Sequence, residues 1–117
     1  MKIQKFEDLI VWQKAKDLGV WTYKCFQTSK DYTFKDQICR AALSVSNNIA
    51  EGFERNTDTD FARFLHIAKG SNSEVKSMLY LAKDLQMIAE NEFMTGLDLC
   101  NQIGRLLNGL INALKVK

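Results

Sequence analysis

The sequence predicts an all-α protein, an antiparallel up-down four-helix bundle, that forms a single domain over residues 1–117. Three observations lead to this prediction. Four long segments repeat apolar residues at spacings of three and four, which is typical of amphipathic helices. The chain contains no proline that would interrupt them. The connections between the segments are short, which favours antiparallel packing of consecutive helices.

The first two predicted helices span about residues 7–27 and 34–55. The apolar stripe of the first helix consists of seven residues at helical spacing, Val11, Trp12, Ala15, Leu18, Thr22, Cys25 and Phe26. The second helix is preceded by Thr33, a suitable N-cap, and Asp36 follows three residues later as in a capping box. We therefore expect the second helix to begin directly after Thr33.

The third and fourth predicted helices span about residues 58–86 and 91–115. Thr57 precedes the third helix, and Asp58 and Asp60 lie in its first turn, where the helix dipole favours negative charge. The fourth helix carries an apolar stripe along its whole length, so helices account for nearly all of the chain.

A straight row of polar side chains runs along the second helix beside its apolar stripe. At about 100° per residue, the members of this row fall within about 80° of arc. With two polar residues of the third helix they form what we call the polar seam, which consists of Gln37, Arg40, Ser44, Asn48, Glu51, Arg55, Ser71 and Glu74. A solvated helix face does not need Ser, Asn and Gln in such an order, and Lys and Glu serve better there, so we expect the seam to join the two helices by hydrogen bonds.

Two ion pairs are expected within or beside the polar seam. Arg40 and Glu74 are predicted to pair between the two helices, and Glu51 is predicted to pair with either Arg55 or Arg63. A ligand-binding or catalytic role for the seam is the second interpretation of the same residues.

The chemistry-bearing residues are too few for a metal centre. A di-metal bundle needs Glu-x-x-His pairs on two helices, but this chain has one histidine, His66, and Arg63 stands three residues before it. The three cysteines, Cys25, Cys39 and Cys100, are far apart and form no C-x-x-C motif. No glycine-rich phosphate loop is present. The sequence therefore predicts no metal, no cofactor and no enzymatic activity.

The composition predicts a cytoplasmic protein without a membrane segment. No apolar run approaches the length needed to span a bilayer. Glu7 and Asp8 interrupt the N-terminal segment where a signal peptide would be apolar. An odd number of scattered cysteines fits reduced thiols. The net charge of +2 neither establishes nor excludes nucleic-acid binding.

Five lysines are candidate contacts to nucleic acid. Lys69, Lys76 and Lys83 follow one another at intervals of seven, about 10.5 Å apart along the third helix. Lys14 and Lys16 lie in the middle of the first helix. Such lysines either form an ordinary solvated face or contact the phosphates of a nucleic-acid backbone.

Some apolar residues lie off the main stripes and predict self-association. They are Leu9, Ile10, Val20, Trp21, Leu99 and Leu106. Apolar side chains on the outer flanks of a small bundle favour packing against another subunit. We therefore expect a homo-oligomer with these residues in or near its interface.

Three long motifs resemble a known family in order and spacing. They are FEDLIVWQKA at residues 6–15, QICRAALSVSNNIAEG at residues 37–52 with Arg55 following, and FLHIAKGSNSE at residues 64–74. They resemble the proteins encoded in intervening sequences of bacterial 23S rRNA genes, which are known as four-helix bundle proteins. The chain departs from the family where Cys39–Arg40 replaces a usual pair of arginines and where Ser46–Asn47 replaces a frequent proline and serine.

The resemblance implies a four-helix bundle, commonly assembled as a pentameric ring, with no established enzymatic activity. A related member of the family that the chain resembles is the accessory variability determinant of diversity-generating retroelements, a basic bundle that binds nucleic acid and a reverse transcriptase. The missing arginine removes one positive charge from the second helix, and the missing proline predicts a straighter helix.

The leading hypothesis is a non-enzymatic, oligomeric helical bundle that associates with RNA or a ribonucleoprotein through backbone electrostatics. Five copies in a ring would carry a charge of about +10 and so a stronger field than one chain. The alternative is a protein-interaction scaffold with no nucleic-acid role, which would bind a protein partner such as a reverse transcriptase. An enzyme that uses the polar seam is the third hypothesis.

Overall fold

The computed structural model describes residues 3–115 and confirms an all-α four-helix bundle. A short 3₁₀ helix, Phe6–Asp8, is followed by α1 (Ile10–Cys25), α2 (Tyr32–Phe53), α3 (Asp58–Asp84) and α4 (Glu90–Ala113). Within the described residues consecutive helices pack against each other, and α1 closes the bundle against α4. The bundle therefore has four sides, which we name by their helices: α1–α2, α2–α3, α3–α4 and α1–α4.

The N-terminal segment differs from the prediction because it forms a 3₁₀ turn before the first helix. Leu9 has an extended backbone, with ψ of 123°, so α1 begins at Ile10 and not near residue 7. The side-chain amide of Gln13 donates a hydrogen bond to the carbonyl oxygen of Glu7 over 2.8 Å. The bend at Leu9 brings the ring of Phe6 to 5.1 Å from that of Trp12.

The N-cap of α2 is Asp31, and the predicted cap at Thr33 is wrong. Asp31 Oδ1 accepts a hydrogen bond from the backbone N–H of Phe34 over 3.1 Å, and Thr33 lies inside the first turn. Asp is a strong N-cap, and its negative charge also suits the helix dipole. Thr57 precedes α3 as expected and caps it, since its hydroxyl accepts a hydrogen bond from the N–H of Asp60 over 3.1 Å.

Each helix ends about two residues earlier than predicted. At the end of α3, Gln86 adopts the left-handed conformation with φ of 57°. The N–H of Gln86 donates to the carbonyl of Lys83, and the N–H of Met87 donates to that of Ala82. This is the Schellman arrangement, in which a left-handed residue satisfies the last carbonyls of a helix.

Two glycines allow helices to approach closely. A Cβ atom at Gly52 would lie 2.6 Å from Phe64 Cβ, and one at Gly96 would lie 2.5 Å from the indole of Trp21. The interior between the helices contains many fully buried aliphatic side chains, which include Leu18, Ile38, Val45, Ile49, Leu65, Val75, Leu79, Ile103 and Leu107.

Candidate functional site

The centre of the polar seam joins α2 to α3 on the α2–α3 side. The hydroxyl oxygens of Ser44 and Ser71 are 2.7 Å apart. The amide of Asn48 donates to both the carbonyl oxygen and the hydroxyl oxygen of Ser44, over 2.8 and 2.9 Å. All three side chains are half-buried. Because a serine hydroxyl both donates and accepts, Ser44 is able to serve Asn48 and Ser71 together.

The expected ion pair between Arg40 and Glu74 is wrong. Gln37 Nε2 donates to Glu74 Oε2 over 3.3 Å, and so Gln37 makes the contact between the helices. Arg40 instead lies 3.9 Å from Asp36, one turn earlier on α2, and the two side chains are 82% and 78% exposed. Such an exposed pair contributes little to stability.

At the C-terminal end of α2, the polar seam lies beside the aromatic ring of Phe64. Arg55 pairs with Glu51 over 2.8 Å, one of the two partners predicted for that carboxylate. Arg63 pairs with Asp60 over 3.6 Å. The guanidinium groups of Arg55 and Arg63 lie 4.7 and 4.6 Å from the centre of the Phe64 ring, within range of cation–π attraction.

The seam residues mostly contact one another, which suits a structural contact between helices. A shallow groove of about 350 Å³ opens above six residues, Gln37, Arg40, Ala41, Ser44, Ser71 and Glu74. His66 lies away from it, in a groove on the α3–α4 side with Ile111 and Leu114. The seam serines are therefore not brought together with the imidazole that a nucleophilic serine would need.

The cysteine thiols are held in the protonated form. Burial raises the pKa of Cys100 to about 12. Burial, with the nearby carboxylate of Glu92, raises the pKa of Cys25 to about 11. The pKa of Cys39 is also raised, chiefly by burial. The thiolate is the nucleophile, so none of the three is an activated cysteine at neutral pH. Across residues 3–115 no group of three metal-ligating side chains comes together.

The lysine row of α3 lies on the α3–α4 side. Lys83 Nζ is 4.0 Å from Glu90 and 4.7 Å from the centre of the Phe93 ring, both on α4. Lys76 is half-buried and close enough to Cys100 to lower its pKa slightly against the effect of burial. Lys69, seven residues before Lys76 on α3, is exposed. The three predicted contacts therefore share one side of the bundle.

A buried amide lies beneath this lysine row. Asn72 is 5% exposed, and its Nδ2 donates to the carbonyl of Cys100 over 2.9 Å. Within the described part of the chain its Oδ1 has no hydrogen-bond partner. Nδ2 also lies opposite Gly104, 3.7 Å from the position that a Cβ would take there.

Lys14 and Lys16 do not join the row, and they lie on different sides of the bundle. Lys14 lines a groove on the α1–α4 side together with Arg105, a basic residue that the sequence analysis missed. Lys16 lines a groove on the α1–α2 side and lies 3.9 Å from Asp17. Residues two positions apart on a helix are rotated by about 200° around its axis, so the sequence could have predicted that Lys14 and Lys16 lie on different sides.

The predicted interface residues fall into two groups. Leu9, Trp21 and Leu99 are half-buried and pack against the core of their own chain. The other three are exposed by 60% at Ile10, 48% at Val20 and 36% at Leu106. Ile10 and Leu106 line the α1–α4 groove, of about 290 Å³. Val20 lines the α1–α2 groove, of about 340 Å³.

The α1–α2 groove also contains apolar residues that the sequence analysis missed. Tyr23 and Leu43 are 46% and 41% exposed beside Val20. Their positions off the apolar stripes of α1 and α2 would have predicted that both side chains point away from the core. The sequence pattern would not have predicted that they line the same groove.

These features describe a helical bundle whose polar seam forms hydrogen bonds between α2 and α3 and whose outer sides carry lysines and exposed apolar residues. The chain belongs to the family described as 23S rRNA-intervening sequence protein, whose profile matches residues 7–109. The sequence resemblance to that family is thereby confirmed. Comparison with curated proteins yields no match.

A solved structure from Bacteroides thetaiotaomicron has the same fold. It is described as a protein with unknown function from the S23 ribosomal protein family. The two chains superpose with a TM-score of 0.82 at 24% sequence identity, over 87% of this chain and 98% of the other. Along residues 3–115, none of the helices has the length and apolar character needed to cross a membrane.

Proposed function

We propose that this chain is a non-enzymatic subunit of a cytoplasmic homo-oligomer that associates with RNA through contacts to the sugar–phosphate backbone. The observation that carries the proposal is the row of Lys69, Lys76 and Lys83 along the α3–α4 side. Lysines at even intervals of seven residues along one helix suit a regular polyanion and require no base-specific readout.

Two of the three lysines are available for phosphate. Lys69 and Lys76 form no ion pair within the described residues, where the pairs within 4.0 Å involve other side chains. Lys83 is 4.0 Å from Glu90, but both side chains are largely exposed, and such pairs contribute only weakly. A phosphate would therefore compete with Glu90 at little cost.

Self-association strengthens the electrostatic argument. Ile10 and Leu106 expose apolar surface on the α1–α4 side, away from the lysine row, and they support a contact between subunits there. A symmetric ring would repeat the row once for each subunit and add the fields. A pentamer is the assembly that the family resemblance predicts.

RNA binding is tested with fluorescently labelled, fragmented ribosomal RNA by anisotropy over a series of salt concentrations. We expect the binding constant to fall steeply with salt, because phosphate contacts release counterions. Replacing Lys69, Lys76 and Lys83 with Glu should lower the slope by about 2, since each phosphate contact to a single strand contributes about 0.7. Absence of binding at low salt would overturn the proposal.

A matched control separates the row from net charge. Replacing Lys5, Lys24 and Lys30 with Glu makes the same change in charge at exposed positions outside the row. This variant should keep most of its affinity and slope. An equal loss in both variants would show that charge alone, and not the α3–α4 side, determines binding.

The second candidate function is a protein-interaction scaffold with no nucleic-acid role. The exposed apolar side chains of Val20, Tyr23 and Leu43 favour it, because they meet in one groove and are not scattered. A scaffold would bind a protein, such as a reverse transcriptase, with weak dependence on salt.

A further inference from the structure

The α1–α2 side carries an apolar groove of about 340 Å³ that the chain itself leaves uncovered. Its lining consists of Lys16, Gly19, Val20, Tyr23, Lys24, Leu43 and Ser46. Val20, Tyr23 and Leu43 form its walls, each more than two-fifths exposed. These large apolar side chains are exposed to solvent, so burying them against a partner would be favourable through the hydrophobic effect.

Gly19 gives this groove its depth. A Cβ atom built at Gly19 meets no atom of the chain within 4 Å, so the missing side chain leaves open space above the helix backbone. A glycine inside a helix lowers stability by about 1 kcal/mol relative to alanine. A close contact within the chain does not explain this glycine, because its neighbours leave room for a Cβ atom.

The rim of the groove is positively charged. Lys16 and Lys24 stand eight residues apart on α1, about 12 Å along the helix axis. Lys24 has no ion-pair partner within the described part of the chain. Lys16 lies 3.9 Å from Asp17, and the two side chains are 52% and 56% exposed, so the carboxylate screens it only weakly.

We propose that the α1–α2 groove binds an amphipathic α-helix of a partner protein, with apolar residues in the groove and flanking carboxylates on Lys16 and Lys24. A groove between two packed helices accepts the ridge of a third helix. Helices that bind in such grooves present apolar anchors at positions i, i+3, i+4 and i+7. The basic rim selects acidic residues on either side of those anchors.

Charge also distinguishes this partner from two other occupants. A two-fold contact that paired this groove with the same groove of a second copy would place Lys16 and Lys24 of both chains together, which like-charge repulsion disfavours. RNA would use the lysines but would leave the apolar walls without a matching surface. The groove lies on the opposite side of the bundle from the lysine row of α3, so the inference does not depend on RNA binding.

The probe for the test is a synthetic amphipathic helical peptide of about five turns, with Leu at the anchor positions and Glu at the flanking positions. A second peptide replaces each flanking Glu with Lys. We expect the Glu peptide to bind the wild-type protein at least tenfold more tightly than the Lys peptide, measured by fluorescence anisotropy of labelled peptide. Equal binding of the two peptides would overturn the proposed charge selection.

Gly19→Leu tests the site itself. The Cβ of the new side chain meets nothing within 4 Å, and its outer atoms would occupy the groove, so the variant should lose peptide binding at least tenfold. Gly70→Leu and Gly109→Leu are matched controls, because a Cβ at either position also meets nothing within 4 Å. Circular dichroism verifies folding, and both controls should bind the Glu peptide as the wild-type chain does. Unchanged binding by Gly19→Leu would refute the site.

The charge reversal Lys16→Glu with Lys24→Glu should invert the preference towards the Lys peptide. Sedimentation of wild type and Gly19→Leu then tests for a second copy as occupant. A fall in mass caused by Gly19→Leu, and not by Gly109→Leu, would assign the groove to self-association and overturn the proposal. RNA binding by Gly19→Leu should match the wild type, so this inference and the RNA proposal succeed or fail separately.

Discussion

Gly96 of α4 lies directly beneath the indole of Trp21 on α1. A Cβ atom at position 96 would stand 2.5 Å from Trp21 Cη2, 2.7 Å from Cζ3 and 2.9 Å from Leu79 Cδ1. The glycine is thus a packing requirement of the α1–α4 side. It also explains why Trp21, expected at a subunit interface, is half-buried within its own chain.

Gly96→Ala should lower the free energy of unfolding by about 1 kcal/mol. Overpacking costs about 1–3 kcal/mol, whereas the better helix propensity of alanine offsets about 1 kcal/mol. Urea denaturation at fixed protein concentration measures the change. Gly109→Ala is the control, since its Cβ meets nothing within 4 Å, and it should stabilise the protein. A more stable Gly96→Ala variant would show that the indole moves away without cost.

The polar seam predicts a contrast between Arg40 and Ser44. Arg40→Ala should change the free energy of unfolding by less than about 0.5 kcal/mol, because exposed pairs one helical turn apart contribute about 0.3–0.5 kcal/mol. Ser44→Ala should cost about 1 kcal/mol, because the half-buried Ser71 and Asn48 lose a partner. A larger loss for Arg40 than for Ser44 would contradict this assignment.

A double-mutant cycle isolates the contact between Ser44 and Ser71. The variants are Ser44→Ala, Ser71→Ala and the two combined, compared by urea denaturation. Neighbours that share a hydrogen bond give coupling energies of about 0.5 kcal/mol or more. Additive effects would mean that the 2.7 Å contact contributes nothing measurable to the joining of α2 and α3.

The helices and the buried stripes were predictable because both depend on a period that the sequence displays. The partners of individual side chains were not predictable, because periodicity shows which face of a helix a residue lies on and not which neighbouring side chain it contacts. Gln37 and Arg40 share the same row on α2, yet Gln37 contacts Glu74 and Arg40 turns to Asp36.

Local backbone geometry accounts for the remaining differences. Asp31 and Thr33 are both competent N-caps, and Lys35, whose ammonium donates to the carbonyl of Gln27, helps to position the turn before α2. The bend at Leu9 brings Phe6 into contact with Trp12, and a helical pattern does not reveal this contact. The α1–α2 groove depends on an absent side chain at Gly19, which a search for functional side chains passes over.

Gln86→Gly should stabilise the protein by about 1 kcal/mol. Gln86 has φ of 57°, and the left-handed conformation costs a residue with a Cβ about 1–2 kcal/mol. Glycine avoids this cost, but its greater conformational entropy in the unfolded state offsets part of the gain. Thermal and urea denaturation measure the effect. Gln102→Gly, in the middle of α4, is the control and should destabilise by a similar amount. If Gln86→Gly is destabilising, contacts of the glutamine side chain outweigh the backbone strain.

The raised pKa values of Cys100 and Cys25 predict a loss of stability in alkali. Their pKa values are raised from 9.0 to about 12 and about 11, so the folded chain retains protons that the unfolded chain releases. The contribution of these two pKa shifts to the free energy of unfolding is therefore fully present below pH 9, and it is lost as the pH rises towards 12. Urea midpoints at pH 8 and pH 10 measure the fall. Cys100→Ala should lower the midpoint at pH 8, because it leaves a small cavity, but should show a smaller further fall at pH 10 than the wild type. An identical fall in both proteins would show that the Cys100 thiol does not contribute to the pH dependence.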